Sequence, residues 1–163
     1  MAVWKREIER QQLWRMFDRG KNVALFAPRR LGKTWLMKTL EHEAKLKGYN
    51  AVFIDLEAET TTKDAVRKLC KKISEKHIFA SLWRQACSRL TSIVQGDTMA
   101  GNYQELLLKA DWESLLSATL KALDDADKPS LILIDEISVC LASLLAVNKT
   151  EGTALMRRLR EHR

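Results

Sequence analysis

Residues 27–34 read Ala27-Pro28-Arg29-Arg30-Leu31-Gly32-Lys33-Thr34, the spacing of a phosphate-binding P-loop, Gly-x-x-x-x-Gly-Lys-Thr/Ser, with Ala in the first position. The chemistry explains the spacing. Backbone N–H groups of such a loop, and of the first turn of the helix after it, converge on phosphate oxygens and add the favourable end of the helix dipole. Gly32 leaves room for the backbone to approach, Lys33 reaches the β and γ phosphates, and the Thr34 hydroxyl ligates Mg²⁺. All eight residues, Ala27 through Thr34, are therefore candidate nucleotide contacts. Ala27 departs from the pattern, since Gly adopts positive φ more freely. The alternative is a cationic turn between a strand and a helix.

A second group closes the run Leu131-Ile132-Leu133-Ile134-Asp135-Glu136. Four aliphatics place a strand in the centre of a sheet and deliver Asp135 to its C-terminal end, the edge where open α/β sheets bind ligands. There Asp135 would hold Mg²⁺ opposite Thr34. Glu136, with Lys33 the candidate catalytic pair, would orient or deprotonate an attacking water. Such a string alone also describes an ordinary strand end; the P-loop gives it meaning.

These residues need elements to position them. Residues 3–19 are charged and helix-prone, with Ile8, Leu13, Met16 and Phe17 as apolar positions and Gly20 where a helix stops. Val23-Ala24-Leu25-Phe26 predicts a strand running into the loop. From Thr34 to Lys47, Trp35, Leu36, Leu40 and Ala44 recur on one helical face before Gly48, and Ala51–Leu56 reads as a second buried strand. Thr61 or Thr62 caps a helix through Val66, Leu69, Cys70 and Ile73; further helices are expected over about 80–94, over the Trp112–Leu123 segment, and from Ala154 to Arg163. Continuous rather than alternating apolar strands point to a parallel sheet covered on both faces by helices. The expected fold is α/β, a three-layer P-loop NTPase architecture that is incomplete.

The run from Ala27 to Thr34, the upstream Arg6-Glu7 helix, the amphipathic Trp112 segment and the run from Leu131 to Glu136 resemble the archaeal-type AAA+/STAND-related P-loop ATPases. The resemblance covers most of the chain, but only the two Walker motifs are specific; Arg6-Glu7 is a faint match to the family's adenine-side leading helix. It implies ATP and Mg²⁺ as cofactors and hydrolysis coupled to DNA handling, defence or signalling. It also places a fourth core strand, carrying a polar sensor residue, between the P-loop strand and the Asp-Glu strand. The chain stops at Arg163, where the resemblance places the helix before that strand. The expectation is the N-terminal part, residues 1–163, of a single ATPase domain in a fragment or truncated gene product.

Composition narrows the alternatives. With 163 residues, 46% hydrophobic, the chain buries a core without disulfide or metal staples. The longest apolar run, Val139–Val147, is far short of the ~20 residues that cross a membrane. The charged N-terminus offers no signal peptide, so the expected compartment is cytoplasmic. Cys70, Cys87 and Cys140 form no Cys-x-x-Cys pair, and His42, His77 and His162 are scattered, so no zinc spacing assembles. Residues 63–90 hold eight Lys and Arg against two acids, most of the formal charge of +7. That stretch either meets nucleic-acid phosphates or is a solvated helix face. Arg29 and Arg30 either reach a γ-phosphate or decorate a solvated loop; Asp55 and Glu57 either approach the attacking water or cap a strand; Trp35 and Trp112 read as core. The leading function is Mg-dependent ATP binding and hydrolysis. A nucleotide-gated switch or nucleic-acid-binding module with little or no turnover is the alternative, a small-molecule kinase a third reading, and a protein partner or oligomer is compatible with all.

Overall fold

The computed structural model describes residues 6–26, 28, 30–75 and 110–161. Along the chain run α1 (Glu7–Phe17), α2 (Lys33–Leu46), β1 (Asn50–Asp55), α3 (Thr62–Ser74), α4 (Trp112–Asp124), β2 (Ser130–Asp135), α5 (Ile137–Val147) and α6 (Lys149–Glu161). The helix expected over 80–94 and the loop after it lie outside the described residues.

Local chemistry sets the boundaries. At the start of α3 the Thr61 hydroxyl accepts the Asp64 N–H at 3.2 Å, and at the start of α4 the Asp111 carboxylate accepts the Ser114 N–H at 2.8 Å. Each satisfies one of the donors a first helical turn leaves open. Helix α2 ends in a paired closure: Gly48 N–H donates to Lys45 O at 3.1 Å and Tyr49 N–H to Ala44 O at 2.9 Å. That closure needs a left-handed residue, and Gly48, at φ 85°, takes the conformation without a Cβ clash.

Strands β1 and β2 pair in parallel, in register from Asn50↔Ser130 to Asp55↔Asp135. Parallel strands require a long crossover, and α3 and α4 lie within it. On one face, Val52 and Ile54 join a cluster with Val66, Leu69 and Ile73 of α3, Leu115 and Leu116 of α4, Leu144 of α5 and Leu155 of α6. On the other, Ala51, Leu131 and Leu133 meet Leu13 and Trp14 of α1 and Leu36, Leu40 and Ala44 of α2. The result is three layers, helices on both faces of a two-stranded parallel sheet, as expected for a P-loop NTPase domain with an incomplete sheet.

Three expectations are corrected. Residues 23–26 form no regular element and join no ladder among the described residues. A strand needs a neighbour's N–H and C=O groups, and the strand that the resemblance places beside residues 23–26 is not among the described elements. Val23 and Leu25 pack on the α1–α2 cluster while Phe26, 89% exposed, points outward. In α1 the buried pair is Leu13 and Trp14, whereas Ile8 and Met16 are exposed. The side of α1 that meets α2 is selected by polar partners of Arg10 and Trp14 as well as by apolar spacing. Trp35, expected in the core, is 44% exposed; Leu36 and Leu40 fill the inward face instead. Trp112 does pack against the core, as expected.

Cys70 is buried, with the Thr119 hydroxyl 3.2 Å from its sulfur, and burial pushes its thiol pKa up to about 12. Thiol-alkylating reagents at pH 8 should therefore leave Cys70 unlabelled in the folded chain and label it after denaturation, read by mass spectrometry; equal rates in both states would contradict this. The Asp111 cap is worth about 1 kcal/mol, so Asp111→Ala should lower the unfolding free energy by that amount in urea titrations at pH 7. The Ser114 N–H holds the Asp111 carboxyl below the ordinary carboxylate pKa. Its charge-dependent contribution is complete above that ordinary value and fades as pH falls through the depressed folded one. The gap between wild type and variant should narrow in strong acid, and a gap constant with pH would argue against the cap.

Candidate functional site

Strand β2 carries Leu131 and Leu133 to one face and ends on Asp135, whose side belongs to that same α2-facing layer by the alternation of a strand. Asp135 is 4% exposed. Its Oδ2 accepts the Thr34 hydroxyl at 2.5 Å, and its Oδ1 accepts the Glu136 N–H at 3.0 Å. Thr34 stands in the first turn of α2, so the N-terminus of α2 and the C-terminal end of β2 meet through two side chains 101 residues apart. The sequence pairing of Thr34 with Asp135 is thus a contact in the folded chain.

The backbone around this contact is unusual in the same places. Gly32, which precedes α2, sits at φ 75°, and its carbonyl accepts the Leu36 N–H at 3.0 Å as the first bond of the helix. Arg30 takes φ 65° and Glu136, which precedes α5, φ 52°. Left-handed backbone at non-glycine residues costs about 1–2 kcal/mol each and gathers where a site demands it. An ideal Cβ on Gly32 would meet nothing within 4 Å, so its requirement is conformational rather than one of space within the folded chain. Lys33, half-buried, opens α2, and Glu136 is half-buried beside Asp135.

Other sequence candidates fall elsewhere. Pro28, Arg30 and Leu31 lie exposed on the loop, while Ala27 and Arg29 fall outside the described residues. Asp55 is in register with Asp135, but its carboxylate accepts the Glu57 N–H at 2.9 Å, the capping geometry. In the basic stretch, Lys68 pairs with Glu59 at 2.9 Å, and Lys71 and Lys72 with Glu75 at 4.0 and 2.9 Å. Lys76, Arg84 and Arg89 lie outside the described residues. A groove of about 480 Å³ between α2, β1 and α3 is lined by Glu41, Phe53, Asp55, Lys68, Lys72 and Glu75. It contains neither Lys33, Thr34 nor Asp135, and its lysines already hold acids. Among the described residues no three His, Cys, Asp or Glu side chains gather as a metal site.

Spacing missed the groups that brace the loop. Glu43 on α2 accepts from Arg10 and, at 2.7 Å, from the Trp14 indole N–H. The Arg6 guanidinium donates to the carbonyl of Leu31, inside the loop. Neither contact leaves a periodic trace; only the charged character of the α1 segment hinted at them.

The family model for the AAA domain matches residues 16–161, from the end of α1 to the end of α6. The chain belongs to the AAA domain family. It is a P-loop AAA-type ATPase domain, and this membership implies nucleotide binding. No curated protein and no solved structure matches the chain. No described helix of the AAA domain is long and apolar enough to cross a membrane.

The Thr34–Asp135 contact makes a measurable claim. Thr34→Val removes the hydroxyl donor and should cost about 1 kcal/mol of stability by urea denaturation. On an Asp135→Ala background the same change should cost little, because its partner is gone. Equal costs in both backgrounds would show that the two side chains do not interact.

Proposed function

We infer that this AAA domain binds ATP with Mg²⁺ between the Ala27–Thr34 loop and the Asp135-Glu136 strand end, and that it hydrolyses ATP. The observation that carries the reading is the Thr34 hydroxyl on the Asp135 carboxylate. A hydroxyl and a buried carboxylate, both hard oxygen donors, suit Mg²⁺, which takes few protein ligands and completes its shell with phosphate oxygens and water. Thr34 and Asp135 would hold the ion, which when bound neutralises charge on the β and γ phosphates.

The chain's own groups supply the rest. Amides of the loop and of the first turn of α2 would receive the phosphate oxygens, and the half-buried Lys33 ammonium would reach the β and γ groups. Glu136, next to Asp135 at the strand end, would orient or deprotonate the attacking water. We assign the domain to the archaeal-type branch on its Ala-Pro-Arg-Arg loop and upstream Arg6-Glu7 helix, and take residues 1–163 as part of one ATPase domain. Residues 23–26 and the outer edge of β2 each lack a ladder partner among the described residues, and Val23 and Leu25 pack on the cluster that holds Leu131 and Leu133. A further strand between them would pair both edges.

The same unpaired edges favour a second reading, a nucleotide-gated switch with little turnover. A site whose loop-bearing segment is unladdered can bind phosphates through local amides yet hold the water poorly. Binding and turnover separate the two. Lys33→Ala should weaken ATP binding by a factor on the order of 100 in calorimetric titrations, about 2.7 kcal/mol, because a charge-assisted contact to the phosphates is lost. Unchanged affinity would defeat both readings. Phosphate release that stops with Glu136→Gln supports hydrolysis, and saturable ATP binding without release supports the switch.

A further inference from the structure

We propose that Arg6 is a positioning residue that sets the orientation of the Leu31–Gly32 peptide so that the Gly32 amide faces a bound polyphosphate. This rests on the ATP-site reading above and adds to it a residue outside the loop motif. Arg6 lies 25 residues before Leu31, and its guanidinium donates to the Leu31 carbonyl.

The geometry of a peptide unit makes this contact informative. Among the described residues no peptide bond is cis. In a trans unit the C=O of one residue and the N–H of the next point in opposite directions. A cation holding the Leu31 carbonyl toward the start of α1 therefore turns the Gly32 N–H away from α1. Gly32 sits at φ 75° without a Cβ, so rotation of the peptide plane before it meets little steric resistance. A rotated plane would present a carbonyl, not an amide, to an anion. The guanidinium opposes that rotation, and by polarising the carbonyl it also strengthens the N–H of the same unit as a donor.

The rest of α1 serves as a mount for this contact. Leu13 and Trp14 are buried against Leu36, Leu40 and Ala44 of α2, and Glu43 accepts from both Arg10 and Trp14. The first turn of α1 is thereby fixed to the helix that the loop opens. Arg6 itself takes φ 39° and ψ 40°, left-handed backbone that a non-glycine residue adopts at a cost, and no side-chain hydrogen bond caps α1 there. Glycine would relieve the backbone but could not reach the loop. The ligand class that benefits is a chain of phosphates, because the amide concerned meets phosphate oxygens rather than a base or sugar.

The test uses the full chain with two probes in the presence of Mg²⁺, ATP and inorganic tripolyphosphate, and two variants, Arg6→Gln and Arg6→Lys. Arg6→Gln should weaken both probes by the same factor, about tenfold, the scale of a hydrogen bond to a charged donor, and Arg6→Lys should restore part of the loss. In the ligand-free chain the Gly32 amide resonance should move in Arg6→Gln. If ATP weakens while tripolyphosphate does not, Arg6 reads the nucleoside and the proposal is wrong. A fall in melting temperature with both affinities and the Gly32 resonance unchanged would likewise overturn it, leaving a purely structural role. Should Arg6→Gln fail to fold, Arg6→Lys decides: a cation without the planar fork should weaken both probes together, and unaltered binding refutes the proposal. Wild-type protein that binds neither probe refutes the ATP-site reading itself, a result distinct from binding that ignores Arg6.

Discussion

One short hydrogen bond organises the molecule: the Thr34 hydroxyl at the start of α2 against the buried Asp135 carboxylate at the end of β2. It joins the positive end of a helix dipole, suited to anions, to a carboxylate at the carboxyl end of a parallel strand, the edge where open α/β sheets take ligands. For it to form, α2 must lie on one face of the sheet with its N-terminus at the strand ends. The cluster of Leu36, Leu40 and Ala44 on Ala51, Leu131 and Leu133 imposes that placement. The opposite face, packed by α3 to α6, holds β1 and β2 in register, so that Asp135 arrives at the same level as Asp55.

A buried carboxylate stays tolerable only with donors, and Asp135 has two, the Thr34 hydroxyl and the Glu136 N–H. The second depends on Glu136 standing in left-handed backbone before α5. Left-handed backbone at Gly32, which glycine takes without strain, and at Glu136, which pays for it, therefore flanks the Thr34–Asp135 contact on both chain segments. On one side of the loop, α1 clamps α2 through Glu43 and touches the loop through Arg6, so the loop is braced by the helix that precedes it.

Much of this was legible in the residues. The strand from Leu131 to Asp135, the helix opening at Lys33, the caps at Thr61 and the stop at Gly48 each follow from local rules, and the P-loop spacing brought Thr34 and Asp135 into one hypothesis. What escaped was non-local. Val23–Phe26 has the composition of a strand, but a strand exists only beside a partner, and composition is silent about whether that partner is at hand. Trp35 carries an apolar side chain, yet the direction it faces is decided by where Leu36 and Leu40 find the sheet. Trp14 is buried because Glu43 takes its N–H and Tyr49 flanks its ring, with centroids 5.6 Å apart, contacts between segments that no periodicity announces; Phe17, one turn on in α1, adds an edge contact at helical spacing.

The central claim is that the loop grips phosphates with its own amides while Asp135 stands within reach of the same ligand. Amide resonances of the full chain, followed by NMR as Mg-ATP is added, test this most directly. The account predicts saturable shifts concentrated at Gly32, Lys33, Thr34 and Glu136. Saturable shifts confined to other surfaces, such as the groove between α2 and α3, would contradict it.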